Sequence, residues 1–274
     1  MRTKLSRRQA ALITTTAMAV ITSTVLAGCG GGSSASGGGS GDPAEGRIVA
    51  LMVDQTCDAS PQLTQFSVDA LHASVDAAAQ DKGTFLGEAI TTDEYQKGTF
   101  AIAHNFTSDR ANDAGQRRDL RNQVADFESG PEGHSLTQGY KPGTKCGSDL
   151  INAMTAAERA FSGTPGASTR TKDLVFVTNG ILQEEDVDFV HDTLNQNAIN
   201  ALVAKKKKQG LLPDLTGVRV HYVGLGVADR PITAPQVKAI ESFWVAFAKR
   251  AGATDVTSVR AGNQVALPSA GDAE

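Results

Sequence analysis

The chain has 274 residues, of which 20% are charged, and a formal net charge of −4 at pH 7. This length is enough for one large or two small domains. Its one concentrated basic run is Lys205–Lys208, so no basic face of the density that nucleic-acid binding needs is visible, and nucleic acid is not an expected partner.

The amino-terminal residues have the layout of an export signal. A basic segment, MRTKLSRR, precedes the apolar run AALITTTAMAVITSTVL, which is short for a stable membrane span. The run ends in LAGC, Leu26 to Cys29, which resembles a bacterial lipobox. This resemblance implies lipidation of Cys29 and cleavage just before it. Arg7-Arg8 also resembles a twin-arginine signal, but Ala10 stands where a large apolar residue is preferred, so Sec and twin-arginine export both stay open.

We therefore expect three regions along the chain. Residues 1–28 would be a lipoprotein signal peptide, and residues 29–46 a Gly/Ser-rich tether with a reach of roughly 20–25 Å by random-coil scaling. Residues 47–274 would be a single domain with a short polar tail. The mature protein would then lie at the bacterial cell envelope, anchored in a membrane through Cys29 and facing the periplasm or the exterior.

Beyond the tether, buried-looking strands alternate with amphipathic helices, which predicts a doubly wound α/β fold with a mostly parallel sheet and helices on both faces. The continuous apolar run RIVALMVD is typical of a strand that is covered on both faces. Apolar residues at helical spacing then predict a helix over about 60–80. The segments GTFLGEAIT and GTFAIAHNFT predict two strands that pair as an antiparallel hairpin at one edge of the sheet.

The second half of the chain continues the alternation. The predicted elements, in order, are a polar helix over 113–128, a long Gly- and Pro-rich loop over 129–148, a helix over 150–161, the strand DLVFVTNG, an irregular acidic segment ILQEEDVDF, a helix that ends in Lys205–Lys208, the strand GVRVHYVGLGV, a closing helix over 237–251 and an edge strand in TDVTSVRAG. We expect the lysine run to be a solvated helix end, where cations suit the helix dipole.

Three segments of this pattern resemble the von Willebrand factor A domain family: DQTCD after the first strand, CGSDLINAM at a helix start, and TNG after a later strand. That family has a metal-ion-dependent adhesion site built from three loops at the carboxyl ends of its strands. The resemblance implies metal ligands at Asp54, Thr56 and Asp58 in the first loop, at Ser148 in the second, and a role for Asn179 in the third. HYVGLGV is also similar to the family's fifth strand.

The sequence departs from the family at two of these positions. Asp58 stands where the family has a serine, and Asn179 replaces an aspartate. The carboxylate lost at Asn179 would be restored at Asp58, which keeps the formal charge of the site near −2. Mg²⁺ or Mn²⁺, with Ca²⁺ as a further candidate, would bind these oxygens and leave one position for a partner's carboxylate. In the alternative, metal-free interpretation, Asp54 and Asp58 only cap the following helix and hydrogen-bond loop amides.

The cysteines suggest a disulfide between the first two of these loops. Lipidation of Cys29 leaves Cys57 and Cys146, an even pair in an oxidising compartment. Both belong to loops that should gather at one crevice of a parallel sheet. A bridge across this loop of about 90 residues would contribute roughly 3–5 kcal/mol on the entropic account. A soft-metal or nucleophilic cysteine site is the competing interpretation.

These features predict a membrane-anchored envelope lipoprotein that binds an unidentified envelope protein through a divalent cation. We do not expect an enzyme, since the sequence has no G-x-S-x-G elbow, P-loop, H-E-x-x-H or C-x-x-C motif. Two alternatives from other classes stay open. They are an envelope hydrolase or solute-binding lipoprotein that uses the same crevice, and a metal-free structural domain.

Overall fold

The helices and strands alternate along the chain much as the sequence predicts. The computed structural model describes residues 46–56, 60–90, 100–139, 149–184, 187–191, 194–260 and 265–267. Its strands are β1 (Ile48–Asp54), β2 (Thr84–Ile90), β3 (Ile102–Asn105), β4 (Lys172–Val177), β5 (Gln183–Glu184), β6 (Val187–Asp188), β7 (Val218–Val223) and β8 (Asp255–Val259). Its helices are α1 (Pro61–Gln80), α2 (Asp113–Ser129), α3 (Pro131–Thr137), α4 (Leu150–Gly163), α5 (Gln196–Lys208) and α6 (Ala234–Arg250).

Several predictions fall outside these described residues. They are the signal peptide, the tether and five individual side chains, namely Cys29, Cys57, Asp58, Cys146 and Ser148. Within the described residues, no helix is both long enough and apolar enough to cross a membrane.

Six strands form one sheet in the order β3-β2-β1-β4-β7-β8. Neighbouring strands run parallel except β2 and β3, which are antiparallel, with Gly87 opposite Ile102. The predicted α/β fold and its antiparallel edge hairpin are therefore confirmed. Because the chain runs outward from β1 in one direction and from β4 in the other, the strand order reverses between these two strands, and doubly wound sheets bind their ligands at the carboxyl side of such a reversal.

The centre of the sheet is apolar because both of its faces are covered. Every residue of β1 is buried. Alternate side chains of a strand point to opposite faces, so Val49, Leu51 and Val53 pack on the α1 side. Ile48, Ala50 and Met52 join the cluster that α4, α5 and α6 cover. This two-sided burial explains why β1 reads as a continuous apolar run.

Local capping sets where α1 begins. The Ser60 hydroxyl accepts the Leu63 N–H at 3.3 Å, and Pro61 occupies the first helical position, where its missing N–H costs nothing. Ser60 is therefore the N-cap, so Asp54 does not cap this helix, but Asp54 does accept a loop amide, the Thr56 N–H, as the metal-free interpretation also expects. The cap also fixes the point at which the chain leaves the carboxyl edge of the sheet.

The structure corrects three local predictions. The segment predicted as a long loop contains α3, which buries Gly133 and Leu136. The segment predicted to be irregular forms a small two-stranded hairpin, β5–β6. In the lysine run, Lys206 is only 3% exposed, so that part of the helix end is packed rather than solvated.

Candidate functional site

The candidate site lies where β1 and β4 end side by side. Val53 is opposite Val177 in the parallel register, so Asp54 and Thr178 are the next residues on the two strands. From there the chain turns into α1 on one face and toward β5, β6 and α5 on the other. In doubly wound sheets, ligands bind outside the carboxyl ends of the strands at such a divergence.

Asp54 joins the two loops through its carboxylate. One oxygen, Oδ1, accepts the Thr56 N–H at 3.1 Å and the Thr56 hydroxyl at 2.7 Å. The other, Oδ2, accepts the Thr178 hydroxyl at 2.9 Å. All three residues are at most 2% exposed. Asp54 and Thr56, both predicted from the sequence, are therefore brought together in one buried oxygen cluster, which we call the Asp54 cluster and which includes Thr178.

Thr178 is a member of the cluster that the sequence reasoning missed. Its backbone N–H donates to the Val223 carbonyl at 3.0 Å, which continues the pairing of β4 with β7 for one more residue. Its hydroxyl accepts the Gly180 N–H at 3.0 Å while donating to Asp54. The sequence signal for Thr178 is its position directly after the buried strand DLVFV.

Asn179 shapes the loop after β4. Its side-chain oxygen accepts the Ile181 N–H at 2.9 Å, and its backbone carbonyl accepts the Gly226 N–H at 2.8 Å. The side chain is buried, with 1% of its surface exposed. These contacts give the amide a loop-positioning role, and its predicted role in orienting a metal-bound water stays a prediction.

Gly180 allows the same loop to turn sharply. Its φ is +68°, a left-handed conformation that glycine adopts without a steric penalty. A Cβ at this position would lie 2.5 Å from Leu225 Cδ2. The indole N–H of Trp244 donates to the Gly180 carbonyl at 2.8 Å, so α6 holds the loop in place.

The first loop is also tied to its surroundings. The Gln55 backbone N–H donates to the Ile90 carbonyl at the end of β2 at 3.2 Å. The Gln55 side-chain amide donates to the Ser135 carbonyl of α3 at 2.7 Å. Two neighbouring elements, β2 and α3, thus hold the backbone of the loop that carries Asp54 and Thr56.

The chemistry of the Asp54 cluster is that of hard oxygen donors, one carboxylate and two hydroxyls. Small hard cations such as Mg²⁺ prefer these donors and keep some of their water. Within the described ranges, no group of three or more His, Cys, Asp or Glu side chains is arranged to hold a metal ion. The described residues alone therefore form no such group, and the ligand roles of Asp54, Thr56, Asp58 and Ser148 stay predictions.

The carboxyl edge of the sheet is rich in acidic residues. After β4, the described carboxylate is Asp188, which lies partly exposed in β6. Asp126–Glu132, at the junction of α2 and α3, contains three carboxylates and neither Lys nor Arg. A hydrogen bond from the His191 ring at 2.6 Å lowers the pKa of Asp188, which keeps that carboxylate ionised. Carboxylates gathered at one edge raise the local concentration of cations.

A separate buried polar cluster lies at the opposite, amino edge of the sheet. Asp173 is fully buried and accepts two hydrogen bonds from Arg219, at 2.7 and 2.8 Å. The His221 ring contacts Asp173 at 3.0 Å and Thr257 at 2.9 Å. Burial acts to raise the pKa of Asp173, but the hydrogen bonds from His221 and Arg219 outweigh it and lower that pKa. His221 is thus a packed residue in the middle of β7.

The comparisons with known proteins identify no family. No family model matches the sequence, and no curated protein matches it. Among solved structures, the chain is similar to the pilus adhesin SpaC from Lactobacillus rhamnosus GG in its open conformation, with 10% sequence identity and a TM-score of 0.36. The match covers 80% of this chain and 28% of the adhesin. A similarity this low carries no inference about function, so the class of protein rests on the sheet topology, which is doubly wound α/β.

Proposed function

We propose that this chain is a protein-binding module, similar to a von Willebrand factor A domain, which binds a carboxylate of an envelope protein through a divalent cation. The cation would be Mg²⁺ or Mn²⁺, held at the carboxyl edge of the sheet. The observation that carries the proposal is the Asp54 cluster, because it gathers buried oxygen donors from two loops at the reversal of strand order.

Each member of the cluster has a distinct part in this proposal. Asp54 supplies the negative charge, directly or through a bound water, and Thr56 supplies a hydroxyl oxygen. Thr178 orients the Asp54 carboxylate through its 2.9 Å hydrogen bond. Asp58 and Ser148 complete the ligand set that the sequence predicts. The open coordination position would take the partner's carboxylate, as hard cations accept oxygen ligands from more than one molecule.

Location at the envelope is a second part of the proposal. The LAGC segment supports lipidation of Cys29, and the Gly/Ser-rich tether would separate the domain from its anchor. Such a module would present its carboxyl edge to proteins of the same envelope.

The test is thermal unfolding of the protein in EDTA and in each of Mg²⁺, Mn²⁺ and Ca²⁺. A cation at 100 times its dissociation constant stabilises the fold by about 2.7 kcal/mol. We expect that increment in the unsubstituted protein and its loss in Asp54→Ala. Asp54→Ala should also lower stability in EDTA, because it removes buried hydrogen bonds, so only the cation-dependent increment is diagnostic.

The chain offers a matched control in a second Asp-x-Thr turn. Asp214 Oδ1 accepts the Thr216 N–H at 3.0 Å and the Thr216 hydroxyl at 2.6 Å, the same two contacts that Asp54 makes with Thr56. This turn is exposed and precedes β7 at the amino edge of the sheet. Asp214→Ala should keep the full cation increment. An unchanged melting temperature of the unsubstituted protein in all three cations would refute the cation site.

A further inference from the structure

The charges that are scattered along the sequence separate to opposite edges of the folded sheet. Helices that connect parallel strands run back from the carboxyl edge, so α1, α4, α5 and α6 all end at the amino edge. The described fold also begins there, where the Arg47 carbonyl accepts the Thr84 N–H at 2.9 Å. While the carboxyl edge is acidic, the segment Lys205–Arg219 at the amino edge carries five cations and one carboxylate.

Six exposed cations define what we call the basic edge: Arg110, Arg118, Lys207, Lys208, Lys249 and Arg250. In the described part of the chain, none of these six forms an ion pair. Three carboxylates near these cations, Asp109, Asp113 and Asp255, are also exposed. Among the described residues, none of the three forms an ion pair with a cation of the basic edge.

Helix stability accounts for part of the basic edge but not for all of it. Lys207 and Lys208 lie in the last turn of α5, where the helix dipole favours cations. Arg110 and Arg118 lie before α2 and in its amino-terminal half, where the same dipole disfavours them. These two arginines, with Asn112, Asp119 and Asn122, line a groove of about 490 Å³.

The position of α2 follows from its contacts. The Phe106 N–H donates to the Gly83 carbonyl at 2.9 Å, which fixes the chain at the amino edge just before α2 begins. Arg117 and Arg121 of α2 share a groove with Asp76 and Gln80 near the end of α1. The amino-terminal half of α2 therefore lies beside the carboxyl-terminal end of α1, and Arg110 and Arg118 belong to the same edge as the lysines of α5.

We infer that the basic edge docks on a membrane surface of anionic phospholipids. Two observations favour a lipid surface over another partner. The cations extend across helices on both faces of the sheet, as contact with a plane requires, and the chain that leads to the predicted anchor joins the fold at this same edge. Docked in this way, the domain turns its acidic carboxyl edge and the Asp54 cluster away from the membrane.

The test measures binding of the full chain, with Cys29→Ala to remove the predicted lipid, to phosphatidylcholine vesicles with and without phosphatidylglycerol. We expect stronger binding to the anionic vesicles, which high salt reverses. Each cation near an anionic surface changes the partition constant about five-fold, so Arg110→Gln/Arg118→Gln and Lys207→Gln/Lys208→Gln should each lower it about 25-fold. The amino-terminal basic segment is the same in every variant, so the ratio between variants reports the edge alone.

The matched control removes two exposed cations from the carboxyl edge. Lys238 lies in the first turns of α6, and Arg260 follows β8 and contacts Glu241 at 2.9 Å. Lys238→Gln/Arg260→Gln should keep anionic-vesicle binding within about two-fold, because neither cation faces the membrane in the docked orientation.

Three outcomes would overturn the inference. They are equal binding to both kinds of vesicle, a loss in the control pair as large as in the edge pairs, and binding of soluble polyglutamate without any preference for anionic vesicles. The last result would assign the edge to an acidic protein instead. Asp54→Ala should leave vesicle binding unchanged, so this test and that of the cation site succeed or fail separately.

Discussion

Breaking the buried ion pair between Asp173 and Arg219 should be among the most damaging single changes in this fold. Arg219 donates two hydrogen bonds to Asp173 at 2.7 and 2.8 Å, and the carboxylate is fully buried. Arg219→Met would leave that carboxylate with the His221 ring at 3.0 Å and the Arg47 guanidinium at 3.7 Å. Removing one partner of a buried pair typically costs about 3–5 kcal/mol.

The assay is urea unfolding at neutral pH, with the midpoint compared at constant slope. Asp173→Leu/Arg219→Met removes both charges and should cost less than Arg219→Met alone, because no unpaired carboxylate stays buried. The exposed carboxylate opposite Arg219 on β8 is Asp255, and Asp255→Asn should change stability by no more than about 0.5 kcal/mol. A loss in Arg219→Met that does not exceed the loss in Asp255→Asn would refute the reasoning.

The pH dependence of the same pair has a definite sign. The pKa of Asp173 is lowered in the folded state, so its ionised form contributes stability above the unfolded pKa of about 3.9. That contribution is lost as the pH falls through the folded pKa. The difference in stability between the unsubstituted protein and Asp173→Asn should therefore shrink in acid, and a difference that grows as the pH falls would contradict the assignment.

Three further predictions concern the loop after β4, an edge histidine and the disulfide. In thermal unfolding, Gly180→Ala should lower stability by more than the roughly 1–2 kcal/mol of a left-handed backbone alone, because its Cβ would also collide with Leu225. Gly210→Ala is the control: its φ is +73° and no atom lies within 4 Å of the added Cβ, so it should lose only the backbone contribution. Burial lowers the pKa of His104 because it disfavours the charged imidazolium. The folded state should therefore lose stability as the pH drops below about 6.5, where the histidine of the unfolded chain takes up a proton. An NMR titration of His104 with a midpoint at or above that value would contradict this. Mass spectrometry of non-reduced peptides should show Cys57 joined to Cys146, and two free thiols would remove the predicted bridge.

Most of the fold could be predicted because its signals are local. The buried run of β1 and the helical spacing in α1 follow from the side chains of those segments alone. The short helix α3 could not be predicted in the same way. Its residues include Pro131 and Gly133, which are typical of loops, and it forms because Leu136 is buried and Ser135 receives the Gln55 amide. Tertiary contacts thus decided an element whose own propensity is weak.

The candidate site was predictable in its first loop and less so in its second. Asp54 and Thr56 are two residues apart, so their hydrogen bonds are nearly implied by the Asp-x-Thr pattern. The contact between Asp54 and Thr178 joins residues 124 positions apart and depends on the register of β1 with β4. The basic edge could not be predicted from the sequence either. Its residues are far apart along the chain, and they come together only because of the direction in which the helices run.

The most direct test of the central claim is where Mn²⁺ binds. Paramagnetic broadening of backbone amide signals during a Mn²⁺ titration reports which residues lie near the ion. The cation site predicts that Thr56 and Gly180, at the Asp54 cluster, broaden first, while Thr216 in the exposed Asp-x-Thr turn at Asp214 does not. Competition with Mg²⁺ should restore the signals. Broadening that begins at Thr216, or that spreads evenly over the surface carboxylates, would contradict a cation site at this edge of the sheet.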